Sequence, residues 1–148
     1  MRPFLLALLL VCASAVRPLP AAAQQALPAF NQSLIYTTEA RFQRAIQPYQ
    51  AAITANPRNA RAHYWLGFAY LYAYRQSRVG VAPYAAAFLP RATASLRQAM
   101  QLDPAFIPAY LALHDALILA GELAEADALV QTLLSRTRPA RLPYTFPP

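Results

Sequence analysis

From about residue 30 to residue 137, apolar side chains fall at the three-to-four-residue spacing of amphipathic helices, interrupted at proline and glycine. The pattern predicts six helices. The first covers residues 30–36. Thr37 and Thr38 offer N-cap oxygens for a second, which runs to Ala55 with Ala45, Tyr49, Ala52 and Ile53 at helical spacing. Pro48 stands inside that helix, where it removes a backbone hydrogen bond and is expected to kink it or split it in two. Asn56-Pro57 closes it, because the residue before proline is pushed out of helical geometry. A third helix starts at Arg58 or Asn59 and continues to Arg75, with Leu66, Ala69 and Tyr70 on one apolar face. Tyr64, Phe68, Leu71 and Tyr72 lie on an adjoining face. Gly67, in the middle, costs roughly 1 kcal/mol relative to alanine, which close approach of a partner helix would justify.

Residues 76–88, QSRVGVAPYAAAF, break the pattern: Gly80 and Pro83 argue for a loop, with a short extra helix over 83–88 as an addition. Pro90 suits the first turn of the fourth helix, which Asp103-Pro104 ends after Leu102. The fifth runs from Pro108 to Ala120, and Gly121 is its C-cap turn. Glu122 and Glu125 then place negative charge in the first turn of the sixth, which ends near Arg136 or Thr137. The remaining residues, 138–148, are proline-rich without helical period and are expected to be extended or disordered.

Ala52, Pro57, Leu66 and Tyr70 recur 47 residues later as Ala99, Pro104, Leu113 and Leu117. Ala45 recurs as Ala92, and Ala92 comes back after 34 residues as Ala126. A fixed period marks a repeat array, in which a helix pair buries its apolar face only by stacking on the next. Leu66-Gly67 followed by Tyr70, then Ala92, Leu96, Ala99 and Pro104 in order, resembles the tetratricopeptide repeat, a helix–turn–helix unit of 34 residues. The longer spacing puts 13 additional residues between Tyr74 and Ala92. Three units follow, at about 26–59, 60–106 with the insertion 76–88, and 107–137. Leu113, Gly121, Ala126 and Leu133 match in the third, where His114 replaces the usual small residue. Tyr36, Ala45, Tyr49, Ala52 and Pro57 match in the first, with Ser33 at the small-residue position.

The resemblance implies an all-α, right-handed superhelix of antiparallel helix pairs, about three repeats long, acting as a non-enzymatic protein-binding scaffold without cofactor. It assigns repeat packing to Ala45, Pro57, Leu66, Gly67, Tyr70, Ala92, Ala99, Pro104, Gly121 and Ala126. In this family the first helix of each pair lines a concave groove. Carried onto this chain, that face comprises Phe30 and Leu34, then Arg61, Tyr64, Phe68 and Leu71, then Leu111, Asp115 and Ile118. An aromatic, apolar groove of this kind favours a hydrophobic or mildly charged segment of another protein. The clamp that grips chaperone-tail carboxylates needs Lys, Arg and Asn together, and Arg61 stands without them. Larger side chains at Ala92 and Ala126 are expected to overpack helix crossings, whereas Ala85, in the insertion, is expected to tolerate them.

Composition adds location and removes chemistries. Residues 1–23 carry a basic start at Arg2, an apolar run and small residues at Ala21-Ala22-Ala23, the pattern of a secretory signal peptide cleaved after Ala23. The run is too short for a membrane-spanning helix of about 20 residues. An uncleaved anchor is the alternative. Cys12, the sole cysteine, lies inside the signal, so the exported chain uses neither disulfides nor cysteine-bound metal, which fits a periplasmic or secreted bacterial protein. Thirteen arginines and no lysine against six acidic residues give +7, which allows a rival reading as an envelope-surface protein that binds anionic glycan or lipid. No clustered basic stripe suggests nucleic acid. His63 and His114 lie in different repeats with no metal-ligand spacing, the serines have no nucleophile-elbow surroundings, and Glu122, Glu125 and Asp127 read as a solvated helix start. The nine tyrosines are the oddity: Tyr70, Tyr72 and Tyr74 fan around one helix, so some must face the groove, the insertion or a partner.

Overall fold

The structure, a computed structural model describing residues 27–137, has five α-helices: α1 (Glu39–Ala55), α2 (Ala60–Arg78), α3 (Leu89–Leu102), α4 (Ile107–Ala120) and α5 (Leu123–Thr137). A single 3-10 turn, Pro83–Ala85, sits between α2 and α3, and no strand occurs among the described residues. Consecutive helices pack on one another and α2 also touches α4, giving an all-α helical-repeat fold. The leader reading at 1–23 and the tail reading at 138–148 fall outside the described residues.

The turns after α1 and α3 display the repeat in atomic detail. The Asn56 N–H donates to the Ala52 carbonyl at 2.9 Å, and the Asp103 N–H donates to the Ala99 carbonyl at 3.0 Å. Beyond each proline, the Asn56 side-chain oxygen accepts from the Arg58 N–H and the Asp103 carboxylate accepts from the Ala105 N–H, both at 3.1 Å. Asn and Asp favour such turns because their short side chains bond to the backbone two residues on. Asn59 then caps α2, its side chain accepting from the Ala62 N–H at 3.1 Å. Gly121 closes α4 in the left-handed region at φ 80°, and the Glu122 N–H reaches back to the Leu117 carbonyl at 2.9 Å.

At Gly67, α2 and α3 approach closely. A β-carbon built there would lie 2.7 Å from Leu96 Cγ and 3.0 Å from both the Ala92 carbonyl oxygen and the Leu96 nitrogen. Ala92, Leu96 and Ala99 of α3 are fully buried, as is Ala126 of α5. The core's largest enclosed side chains are Phe42, Ile46, Leu71, Leu96, Leu113 and Leu117.

Four expectations need correction. Residues 30–36 form turns and irregular backbone instead of a helix. Asn31 Oδ1 accepts from the Ser33 N–H at 2.9 Å, the local side-chain bond that competes with helix formation. Pro48 does not split α1, which runs unbroken with Pro48 on its exposed side. The buried face of α1 is Phe42, Ile46 and Tyr49, whereas Ala45, Ala52 and Ile53 are only half-buried. Ala85 is fully buried beside Ala82 and Phe88, so the insertion belongs to the core and Ala85 is no tolerant position. Phe88 lies 5.4 Å from Phe42 and 5.2 Å from Tyr70, ring to ring, which anchors the insertion across α1 and α2.

Candidate partner-binding surface

Along α2, Arg61, Tyr64, Phe68, Tyr72 and Arg75 recur at helical spacing and form one side of the molecule. At its N-terminal end the Arg61 guanidinium sits 6.0 Å from the Phe106 ring centre, and Tyr64 packs edge-on to Phe106 at 5.0 Å. The Tyr64 and Phe68 rings are 5.9 Å apart. At the C-terminal end Arg75 reaches across to α4 and pairs with Asp115 at 2.7 Å. Both partners of this ion pair are about half exposed, so it contributes on the order of 0–1 kcal/mol and serves mainly to fix register.

That pairing places the outward stripe of α4 next to α2. Ile107, Leu111, Asp115 and Ile118 share the stripe, with Leu111 59% exposed and Ile118 45%. A cleft of about 260 Å³ opens along the C-terminal half of α2, lined by Gln32, Phe68, Leu71, Tyr72, Arg75, Gln76 and Val79. Leu71 borders the cleft yet is only 1% exposed, so it supplies floor and no grip.

The other side of the α2 stripe is covered by residues 27–36. Phe30 is buried, its ring 5.2 Å from Tyr36, 5.6 Å from Tyr72 and 6.5 Å from Phe68. Tyrosine hydroxyls hold the backbone of this segment. Tyr49 donates to the Pro28 carbonyl at 3.0 Å, Tyr36 to Asn31 at 3.0 Å, Tyr84 to Tyr36 at 2.8 Å, and Tyr72 to Gln32. The Tyr36 N–H in turn donates to Gln76 Oε1 at 3.3 Å. Burial pushes the Tyr49 phenol up to about 12, helped by the neighbouring Tyr36. Burial also raises Tyr36 and Tyr84, so these phenols stay protonated and able to donate at neutral pH.

Of the nine groove positions read from the sequence, the structure thus brings Arg61, Tyr64, Phe68 and Leu71 together on α2, and Leu111, Asp115 and Ile118 on α4. Phe30 and Leu34 sit on no helix: Phe30 fills the aromatic pocket, and Leu34 is exposed on the covering segment. Sequence reasoning missed Arg75 and Gln76. Their signal was spacing, since Arg75 continues the Arg61–Tyr64–Phe68–Tyr72 run, but the ion pair to a residue 40 positions away has no local trace. Tyr70, Tyr72 and Tyr74 do fan out: Tyr70 enters the core against Phe42 and Phe88, while Tyr72 turns to residues 27–36.

His63, on α2, donates from Nε2 to the Pro57 carbonyl in the preceding turn at 3.0 Å. Among the described residues no three His, Cys, Asp or Glu side chains converge as a metal set would.

Comparison with known proteins gives one finding: residues 34–72, from the end of the covering segment through α1 and most of α2, match the family model for the TPR repeat. No curated protein and no solved structure matches the chain. That match places a TPR repeat at residues 34–72 of an all-α helical-repeat fold whose two Asn/Asp-Pro turns make the same backbone bonds.

Proposed function

We propose that the protein is a non-enzymatic scaffold of the bacterial cell envelope that binds an apolar segment of another protein along α2 and α4. TPR repeats in general mediate protein–protein interaction. The observation that carries the reading is the stripe of Leu111 and Ile118, large apolar side chains left about half exposed beside the Arg75–Asp115 pair. Exposed apolar surface of this kind, rimmed by polar groups, marks interaction sites. Arg61, Tyr64 and Phe68 extend the surface along α2, and the N-terminal signal pattern supports an exported location.

The test is capture of envelope proteins by the mature chain and by Leu111→Glu and Ile118→Glu variants. These substitutions sit on exposed positions and should leave the helix content unchanged. Partner capture should fall at least tenfold in both and persist in high salt. Capture that survives the substitutions but vanishes as ionic strength rises would instead favour arginine-driven binding to anionic glycan or lipid.

A further inference from the structure

We infer that residues 27–36 occupy, in cis, a binding site for non-helical, phenylalanine-bearing segments supplied by a partner protein. The inference deepens the scaffold reading and rests on it for the existence of a partner.

The attachment of this segment is that of a ligand. No backbone–backbone hydrogen bond joins residues 27–36 to the helices among the described residues. Its backbone carbonyls are instead engaged by the side-chain hydroxyls of Tyr49 on α1, Tyr72 on α2 and Tyr84 in the insertion, and its last N–H by Gln76 on α2. Hydroxyl-to-carbonyl bonds read a backbone, which any peptide offers, and they set no demand on most side chains. Two side chains are read closely, each 4% exposed: Phe30 against Phe68 and Tyr72, and Tyr36 against Phe42 and Tyr72. The segment carries no charged residue, and its Leu34 and Ile35 stay 44% and 56% exposed, contributing little that would resist displacement. The cleft beside Gln32 gives an incoming chain an open place from which to advance on the Phe30 pocket. The partner chemistry that fits is therefore an uncharged, non-helical stretch with a phenylalanine and, six positions on, a second aromatic residue, its carbonyls facing Tyr49, Tyr72 and Tyr84. Such a segment competes with the resident one, and resident occupancy sets the threshold affinity.

The experiment uses the full chain and a fluorescein-labelled peptide with the sequence of residues 27–37, read by anisotropy. Wild type, Phe30→Ala and Phe30→Leu are titrated, with helix content checked by circular dichroism. Both variants should bind the peptide at least tenfold more tightly than wild type, whose own segment blocks the site. A peptide with alanine in place of phenylalanine should not bind either variant. Phe30→Leu keeps an apolar filler and decides the matter if Phe30→Ala unfolds. A helical Phe30→Leu variant that binds the peptide no better than wild type overturns the inference. That failure would leave the α4 surface standing, since Leu111→Glu and Ile118→Glu test it separately.

Discussion

Three small residues and one phenol decide much of the packing. Alanine at Gly67 would gain roughly 1 kcal/mol of helix propensity, but its β-carbon would sit 3.0 Å from backbone atoms of Ala92 and Leu96, which cannot swing aside. Overpacking of this kind costs about 1–3 kcal/mol, so Gly67→Ala should be net destabilising and lower the melting temperature by several degrees. Ala92→Leu and Ala126→Leu should lower it as well, because both positions are fully buried. The proper control is Ala86→Leu, at an exposed position of the insertion, which should change little; comparable losses at all four sites in thermal melts would contradict this account of the packing. Tyr49 yields a pH prediction with a definite sign. Its phenol is held protonated up to about 12 in the folded state against about 10 when unfolded. Stability is therefore fully present below pH 10 and declines as pH rises from 10 to 12, by up to about 1.4 kcal/mol per pH unit for this group. Tyr49→Phe should lose on the order of 1 kcal/mol at neutral pH with its bond to Pro28, yet show a shallower alkaline decline in urea unfolding. An equally steep decline would assign the effect to other groups.

At the scale of elements, the described residues build two and a half helix pairs, with an irregular segment at 27–36 where the sequence pattern also allowed a helix. In a regular array the first helix of a repeat covers the preceding face of its neighbours. Here residues 27–36 cover the α2 face through Phe30 and are held by three tyrosine hydroxyls from outside the segment, and the Asn31–Ser33 bond holds them out of helical geometry. The insertion works in the same sense: Tyr84 reaches from it to the Tyr36 carbonyl, and Phe88 enters the aromatic cluster of Phe42 and Tyr70. The covering segment and the insertion are thus one packing unit with α1 and α2. Deleting 80–87 should consequently unfold or loosen that end of the molecule instead of trimming a loop, seen as lost near-ultraviolet tyrosine signal with much of the far-ultraviolet helix signal retained. An unchanged near-ultraviolet spectrum would count against the coupling.

For the whole molecule, α5, the last described helix, is tied back to the preceding elements by two arginines. Arg97 on α3 bonds Glu125 at 2.7 Å and Glu122 at 3.1 Å, and Arg136 donates to the Pro104 carbonyl at 2.9 Å and the Tyr110 hydroxyl at 2.5 Å. No described helix is long and apolar enough to cross a membrane. The signal pattern leads to a direct prediction: protein made in its host should begin at or near Gln24 by mass analysis. Loss of Arg2 and Arg17 would lower its net charge from +7 to +5. Intact Met1 recovered from a soluble cytoplasmic fraction would refute export.

What the sequence by itself determined were the features with a local cause. Asn56-Pro57 and Asp103-Pro104 end helices because proline restricts the residue before it, and Gly121 turns the chain because it takes a positive φ. The 34- and 47-residue spacings identified the repeat, and Gly67 announced a close helix approach, because these depend on residue size and order along the chain. Tertiary structure decided the rest. Residues 30–36 have a pattern open to a helix, and bonds from tyrosines up to 48 positions away hold them as a covering segment. Which face of α1 is buried depended on where α2 and the insertion lie, so Phe42 and Ile46 went inside and Ala52 only partly. Ala85 became core because Phe88 anchors the insertion against Phe42, and Asp115 gained Arg75 as its partner because α4 stacks beside α2. Propensity and turn chemistry act over a few residues, whereas burial is settled by elements brought together from across the chain.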